Sequence, residues 1–255
     1  MIKTFILGSG YLSKNLKLKI PNSSIFTIDE FISAIVKEKK KFNLIINSFY
    51  SSRKLEKITS YNKFVYKSLS EISFLIDNLE PKYLNKIIYT SSSSVYGSIN
   101  NKIDIDDKNN RYIYSSLKLS AETLLKNYCN SREIPLIISR VFNLYGAGEN
   151  FSIISKINNL HNRKSKKLKI SNQGMSIRDF IHINDVVSIY KRFLSIKKKS
   201  FIYDVGTGKG VKIIDIITTL NLNKKIIIDK KKLPEIDQSI ANNNFVKENL
   251  NFKNY

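Results

Sequence analysis

The sequence predicts an α/β fold, a doubly wound parallel sheet followed by a small C-terminal lobe. Short apolar runs alternate with longer segments of helical periodicity, which is typical of βαβ units. Two of these runs, Leu44–Ile46 and Leu136–Ile138, are continuously apolar, as strands buried on both faces require. The 255 residues suffice for one large domain with a smaller companion lobe.

The alternation predicts six strands and five helices. The predicted strands are Thr4–Leu7, Ser24–Ile28, Leu44–Asn47, Lys86–Ser91, Leu136–Arg140 and Phe201–Val205. The predicted helices are Leu12–Leu18, Glu30–Lys40, Tyr61–Asn78, Tyr112–Asn130 and Asp185–Ser195. The polar tail from Asn221 onward is interpreted as a peripheral part of the lobe rather than an independent domain.

The chain carries a formal net charge of +22. Such a charge can mark a nucleic-acid-binding protein or one that binds anionic membranes. The lysines are spread through a sequence rich in Ile, Lys and Asn, and the runs at 164–169, 197–199 and 230–232 are typical of solvated faces. We therefore expect no specific binding of nucleic acid.

The N-terminal apolar run is too short for a signal peptide and leads into a glycine turn, so it predicts a first strand. No run approaches the eighteen or so apolar residues of a membrane-spanning helix. Cys129, the single cysteine, excludes an intrachain disulfide and favours a cytoplasmic location. Two histidines and one cysteine, far apart in sequence, predict no metal site.

The glycine turn after the first strand predicts a dinucleotide site. It consists of Gly8, Ser9, Gly10, Tyr11 and Leu12, directly before a helix. The first glycine permits a tight turn, and the second lets the backbone approach a pyrophosphate at the helix N-terminus. A serine stands at the third glycine position of the Rossmann-like fingerprint, where a small side chain still allows close helix–strand packing. The pattern predicts NAD or NADP as cofactor.

Two polar residues further on are candidate cofactor contacts. Asp29, expected at the end of the second strand, has the position of the acid that binds the adenosine ribose. Thr27 and Glu30 equally fit a capping box that opens a helix, so both interpretations remain open and NAD is not separated from NADP. Asn47, at the end of the third strand, is either a cofactor contact or a turn former.

These observations predict a dinucleotide-binding domain over residues 1–142, to which the strand at 201–205 returns. A small substrate-binding lobe is expected over residues 143–255. One strand–helix pair of a full dinucleotide fold is missing before Leu44.

Tyr114 and Lys118 have the spacing i and i+4, which puts both side chains on one helix face. With an oxidised nicotinamide nearby, the ammonium would lower the pKa of the phenol toward neutrality for acid–base catalysis. Tyr50 and Lys54 share the spacing, but only Tyr114 follows a strand that ends in a serine run, Ser91–Ser94. A hydroxyl at that strand end can bind a reacting oxygen, although such a run is also typical of a plain loop.

Five motifs occur in the order found in the extended short-chain dehydrogenase/reductase family, which the chain resembles over nearly its whole length. The family includes UDP-glucose 4-epimerase and nucleotide-sugar 4-ketoreductases. The motifs are Ser91–Gly97, Tyr114 with Lys118, Arg140–Gly146, Arg178–Asp185 and Tyr203–Gly206.

The resemblance implies a nucleotide-sugar substrate and assigns roles to several residues. Ser92, Tyr114 and Lys118 match the catalytic residues, and Tyr114, Lys118 and Phe142 would contact the cofactor. Asn143 and Arg178 would bind the substrate diphosphate. The resemblance also implies a homodimer formed through the helix with Tyr114 and the helix at 61–78, and a role in polysaccharide biosynthesis.

Simpler explanations exist for some of these residues. Arg178 is equally consistent with an ion pair to Asp179. His182 is interpreted as a structural hydrogen-bonding residue, and His161 as a solvent-exposed loop residue.

The expected reaction is epimerisation at the sugar C4 or reduction of a 4-keto sugar. Ser93 and Ser94 stand where the 4,6-dehydratase branch carries Asp and Glu, which disfavours dehydration. The alternative is a non-catalytic dinucleotide-binding regulator or assembly protein. It is favoured by the missing third glycine and by the short C-terminus, since residues 251–255 lie near the family's Leu-Gly-Phe segment and the usual final helix is not expected, which predicts a reduced lobe.

Overall fold

The computed structural model describes residues 2–36, 38–47, 61–100, 111–197, 199–228 and 237–242. The chain forms two compact units. The first comprises Met1–Arg140 and Val187–Tyr203, and the second comprises Val141–Val186 and Asp204–Tyr255. The predicted pair Tyr50 and Lys54 lies outside the described residues, as does most of the tail after residue 228.

A six-stranded sheet organises the first unit and confirms the predicted fold class. Its strands are β1 (Lys3–Leu7), β2 (Ser23–Phe26), β3 (Phe42–Ile46), β4 (Leu84–Ser92), β5 (Leu136–Val141) and β9 (Phe201–Val205). Their spatial order is β2-β1-β3-β4-β5-β9, and β1 pairs in parallel with both β2 and β3. The order reverses between β1 and β3, and ligands of such sheets bind at the carboxyl ends of the strands at this reversal.

Helices connect these strands. They are α1 (Tyr11–Lys19), α2 (Ile28–Ile35), α3 (Tyr61–Val65), α4 (Glu71–Asp77), α5 (Val95–Asn100), α6 (Arg111–Asn130) and α8 (Ile183–Ser195). A π-helical turn, Tyr66–Ser70, joins α3 to α4, so one continuous helical segment occupies the predicted span.

The core of the first unit is aliphatic and aromatic. Every residue of β3 and of β5 is buried, as the apolar runs predict. Phe5 packs edge-to-face against Phe31 and Phe42, with ring centroids 5.3 and 5.1 Å away. These contacts join strands β1 and β3 and helix α2 into one buried cluster.

The second unit contains short elements that the sequence analysis did not predict. They are β6 (Asn143–Tyr145), α7 (Ile153–His161), β7 (Leu168–Ile170), β8 (Ile177–His182), β10 (Gly210–Lys212), α9 (Ile213–Thr219), β11 (Ile226–Ile228) and β12 (Gln238–Ser239). Strand β8 lies between β10 and β12 and also pairs with β6, while β7 pairs in parallel with β11. The compact units divide after Arg140, whereas the sequence placed the boundary after residue 142.

Across the ranges given above, no helix combines the length and hydropathy that a membrane span requires. The same ranges contain no group of three or more His, Cys, Asp or Glu side chains placed to hold a metal ion.

Candidate active site

The glycine turn has the geometry that a dinucleotide site needs. Gly8 has a φ of 95°, a left-handed conformation that favours glycine, and its N–H donates to the Phe26 carbonyl at 2.9 Å. Gly10 is the N-cap of α1 without a side-chain hydrogen bond, and a Cβ added there would meet nothing within 4 Å. The first turn of α1 therefore presents backbone N–H groups beside open space, which fits a dinucleotide pyrophosphate.

A chain of hydrogen bonds fixes the strand ends beside this turn. The Asn47 amide donates to the Ser13 hydroxyl at 2.9 Å, and its oxygen accepts from Thr90. The Thr90 hydroxyl also lies 2.6 Å from the Tyr190 hydroxyl. Ser13 is fully buried, so it takes the packing position of the third glycine and gives Asn47 a partner that glycine cannot provide.

Asp29 does not lie at the end of the second strand, and this expectation was wrong. Strand β2 ends at Phe26, because the Thr27 hydroxyl accepts from the Glu30 N–H and the Glu30 carboxylate accepts from the Thr27 N–H at 2.8 Å. This capping box starts α2 and places Asp29, exposed, in its first turn. Its contact with a cofactor ribose stays a prediction.

Strand β4 and helix α6 bring Ser92 and Tyr114 together. The Ser92 hydroxyl is hydrogen-bonded to the phenol oxygen of Tyr114, and the Ser92 oxygen accepts from the Ser94 N–H at 3.2 Å. The serine run is therefore the end of a strand and the turn into α5, not a plain loop. One oxygen of a bound sugar could contact both hydroxyls, which is the arrangement that acid–base chemistry requires.

Lys118 lies one helical turn after Tyr114 and is buried. Its ammonium donates to the Thr90 carbonyl at 2.7 Å and lies over the Tyr89 ring, 4.8 Å from the centroid. Burial lowers the pKa of Lys118 to about 7, and the nearby Glu122 carboxylate opposes this shift.

The predicted lowering of the Tyr114 pKa is not present in the protein alone. Burial raises the pKa of Tyr114 to about 12, and the hydrogen bond to Ser92 offsets only part of that rise. The phenol is therefore protonated at neutral pH unless a further positive charge stabilises the phenolate.

In the second unit, Asp179 organises the polar contacts. It is fully buried and accepts from the N–H groups of Thr207, Gly208 and Ala241 at 2.9, 2.8 and 3.1 Å. The Asn143 amide donates to the Asp179 backbone carbonyl at 3.0 Å, which orients this candidate substrate ligand. The sequence analysis missed this role, which depends on backbone groups far along the chain.

The alternative ion pair of Arg178 with Asp179 is wrong, because backbone donors and the Thr207 hydroxyl occupy the carboxylate. Arg178 instead donates to the Ile177 carbonyl at 2.9 Å and remains partly exposed. His182 is confirmed as a structural hydrogen-bonding residue, since its Nδ1 accepts from the Asn184 N–H at 3.3 Å. His161 is exposed as expected, although it ends α7 rather than lying in a loop.

Phe142 is buried, and its N–H donates to the Val205 carbonyl at 3.0 Å. This bond joins the Arg140–Gly146 motif to the last residue of β9. A contact between Phe142 and a cofactor stays a prediction.

Comparison with known proteins assigns the family. The sequence profile of the NAD dependent epimerase/dehydratase family matches residues 22–206, which is most of the chain. The chain belongs to this family. The resemblance to extended short-chain dehydrogenases/reductases inferred from the five motifs is confirmed.

Similar sequences include two nucleotide-sugar enzymes. The dTDP-D-glucose 4,6-dehydratase of Dictyostelium discoideum is 28% identical over 86% of this chain and 51% of that protein. The ADP-L-glycero-D-manno-heptose-6-epimerase of Brachyspira hyodysenteriae is 30% identical over 72% of this chain and 64% of that protein. The chain thus spans between half and two thirds of the length of these relatives.

Solved structures share the fold. The UDP-glucuronic acid 4-epimerase of Bacillus cereus, in complex with UDP-glucuronic acid and NAD, superposes with a TM-score of 0.75. It is 18% identical, and the match covers 94% of this chain and 90% of that chain. At this identity the comparison shows the fold alone.

Proposed function

We propose that this protein exchanges hydride between NAD and C4 of a nucleotide sugar, as a 4-epimerase or a 4-keto-sugar reductase. The hydrogen bond between Ser92 and Tyr114, one helical turn from the buried Lys118, is the observation that carries the proposal. The NAD dependence of the family and the Bacillus cereus 4-epimerase solved with NAD support the choice of cofactor.

The glycine turn from Gly8 to Leu12 would hold the pyrophosphate of NAD, and Asn47, Lys118 and Phe142 would contact the nicotinamide half. Bound NAD supplies the hydride acceptor or donor and, when oxidised, a positive charge that favours the Tyr114 phenolate. In the second unit, Asn143 and Arg178 would bind the sugar's diphosphate.

With NAD bound, the Tyr114 phenolate would accept the proton of the sugar C4 hydroxyl in the oxidation direction, while C4 would give up its hydride to the cofactor. Ser92 donates a hydrogen bond to the same oxygen, and Lys118 stabilises the phenolate before transfer. Reduction of a 4-keto sugar is the reverse, with Tyr114 returning the proton. Ser93 and Ser94 provide no carboxyl group next to Ser92, which is why we propose hydride exchange without dehydration.

The test is turnover of a panel of UDP-, dTDP-, GDP- and CDP-sugars by the purified protein. An epimerase changes the sugar without net change in NADH, whereas a reductase consumes NADH with a 4-keto sugar. Tyr114→Phe should lower kcat by about 10²–10⁴-fold and leave NAD affinity unchanged. NAD binding without turnover of any sugar would favour the non-catalytic alternative and refute the proposal.

We also propose a homodimer formed through the segment α3–α4 and helix α6. This surface exposes large apolar side chains at Tyr61, Tyr66 and Phe74, each more than half exposed, with Leu124 on α6. Light scattering at micromolar concentration should give the mass of two chains, and the double variant Tyr66→Glu with Phe74→Glu should be monomeric. A monomeric unmodified protein would refute this assembly.

A further inference from the structure

Helix α6 carries a third polar side chain that the proposed chemistry does not use. Tyr114, Lys118 and Glu122 follow at i, i+4 and i+8, so they share one face of the helix. Glu122 has no exposed surface. A carboxylate in such a position is retained only when its charge is neutralised and its oxygens are hydrogen-bonded.

Arg140 of strand β5 neutralises Glu122 through two bonds. Its Nε donates to Oε1 at 3.1 Å and its Nη2 donates to Oε2 at 2.7 Å, with both side chains almost fully buried. The Ser91 hydroxyl donates to Oε1 at 2.6 Å. This bidentate geometry fixes the carboxylate in one orientation.

The pair connects the elements that carry the candidate catalytic groups. Ser91 directly precedes Ser92 on β4, and Glu122 lies one turn after Lys118 on α6. The Arg140 guanidinium lies over the Tyr96 ring of α5, 4.8 Å from the centroid. The distance between Ser92 and Tyr114 therefore depends on the same contacts that hold Glu122.

We infer that Glu122 and Arg140 are positioning residues that hold β4 against α6, and that the Glu122 carboxylate keeps Lys118 positively charged while Tyr114 loses its proton. This inference rests on the proposed hydride exchange. Neither residue touches the reacting atoms, so both act through Lys118, Ser91 and Ser92.

The charged and titratable groups around Lys118 define the expected signature. Tyr114 and Glu122 face it from its own helix, and Tyr89 faces it from β4. Arg140 of β5 and Tyr96 of α5 lie behind Glu122. Burial already lowers the pKa of Lys118 to about 7 while Glu122 opposes the shift, so removing the carboxylate charge should lower this pKa further.

The pH profile of kcat separates an electrostatic role from a structural one. Glu122→Gln should lower the plateau of kcat at least tenfold and move the alkaline limb, where Lys118 loses its proton, down by about 1 pH unit. Glu122→Asp keeps the negative charge and changes the geometry. Its kcat at the plateau should therefore fall, while the pH of the alkaline limb should not change. Glu80→Gln, which removes an exposed carboxylate paired with Lys82, is the matched control and should match the unmodified protein.

A thermodynamic cycle with Glu122→Gln and Lys118→Met tests the inference without turnover. Urea unfolding should show favourable coupling between the two sites at pH 6, where Lys118 is charged, and a loss of that coupling at pH 9. Equal coupling at both pH values, or an unmoved alkaline limb in Glu122→Gln, would overturn the inference. Coupling that changes with pH in a protein that turns over no sugar would refute the proposed function alone.

Discussion

Replacing Lys118 by Met should make the stability of the protein less dependent on pH. The pKa of Lys118 falls from 10.5 in the unfolded chain to about 7 in the folded protein. Between these values the unfolded chain holds a proton that the folded protein has released, so the free energy of unfolding increases with pH. Linkage gives a gain of about 3 kcal/mol from pH 6 to pH 9 that Lys118→Met should lose.

The assay is urea unfolding of both proteins at pH 6, 7.5 and 9, followed by far-UV circular dichroism. Lys126→Met, a partly exposed lysine on the same helix, is the control and should keep the pH dependence of the unmodified protein. At pH 6 we expect Lys118→Met to be the more stable protein, because it buries no charge. If the stability difference between Lys118→Met and the unmodified protein is the same at all three pH values, then the physical reasoning about this site is wrong.

Three further predictions concern stability. Lys86 is buried, and its ammonium donates to the carbonyls of Phe193, Leu194 and Ile196 at the end of α8. Lys86→Met should therefore lower the free energy of unfolding in urea by about 3 kcal/mol, and an unchanged free energy would contradict this. The Tyr89 hydroxyl is buried with no hydrogen-bond partner among the described residues, so Tyr89→Phe should raise stability by about 1 kcal/mol, and a lower Tm would refute it. A Cβ on Gly206 would lie 2.6 Å from an Asp179 carboxylate oxygen, so Gly206→Ala should lower the free energy of unfolding by about 2 kcal/mol. A Cβ on Gly10 would meet open space, so Gly10→Ala should keep the Tm of the unmodified protein and weaken NAD binding. Equal Tm losses in the two variants would contradict both expectations.

The fold class could be predicted because its signals are local. Apolar runs such as Leu44–Ile46 require burial on both faces wherever they lie, and every predicted strand is present with ends shifted by at most two residues. Most strands of the second unit were not predicted because they have three residues or fewer, such as β7, and show no periodicity to recognise. Their pairing partners lie far along the chain.

In the candidate site, too, local features were predicted from the sequence and contacts between distant residues were not. The capping box at Thr27 and Glu30 was visible in the sequence, but its consequence for Asp29 depends on where β2 ends. The spacing of Tyr114 and Lys118 put them on one helix face, but the partner of Ser92 required β4 and α6 to pack together. The sequence analysis assigned no role to Glu122, because an isolated glutamate on a helix is usually exposed.

The sequence alone determined the alternation of strands and helices, the glycine turn at Gly8 and Gly10, and the family, since each depends on residue order and local backbone preference. Only the tertiary structure decided which polar groups pair. Glu122 finds Arg140 eighteen residues away, and Asp179 binds backbone groups of Thr207 and Ala241. The reason is physical: the ionisation and partners of a buried group depend on which elements exclude water around it, and those elements are distant in the chain.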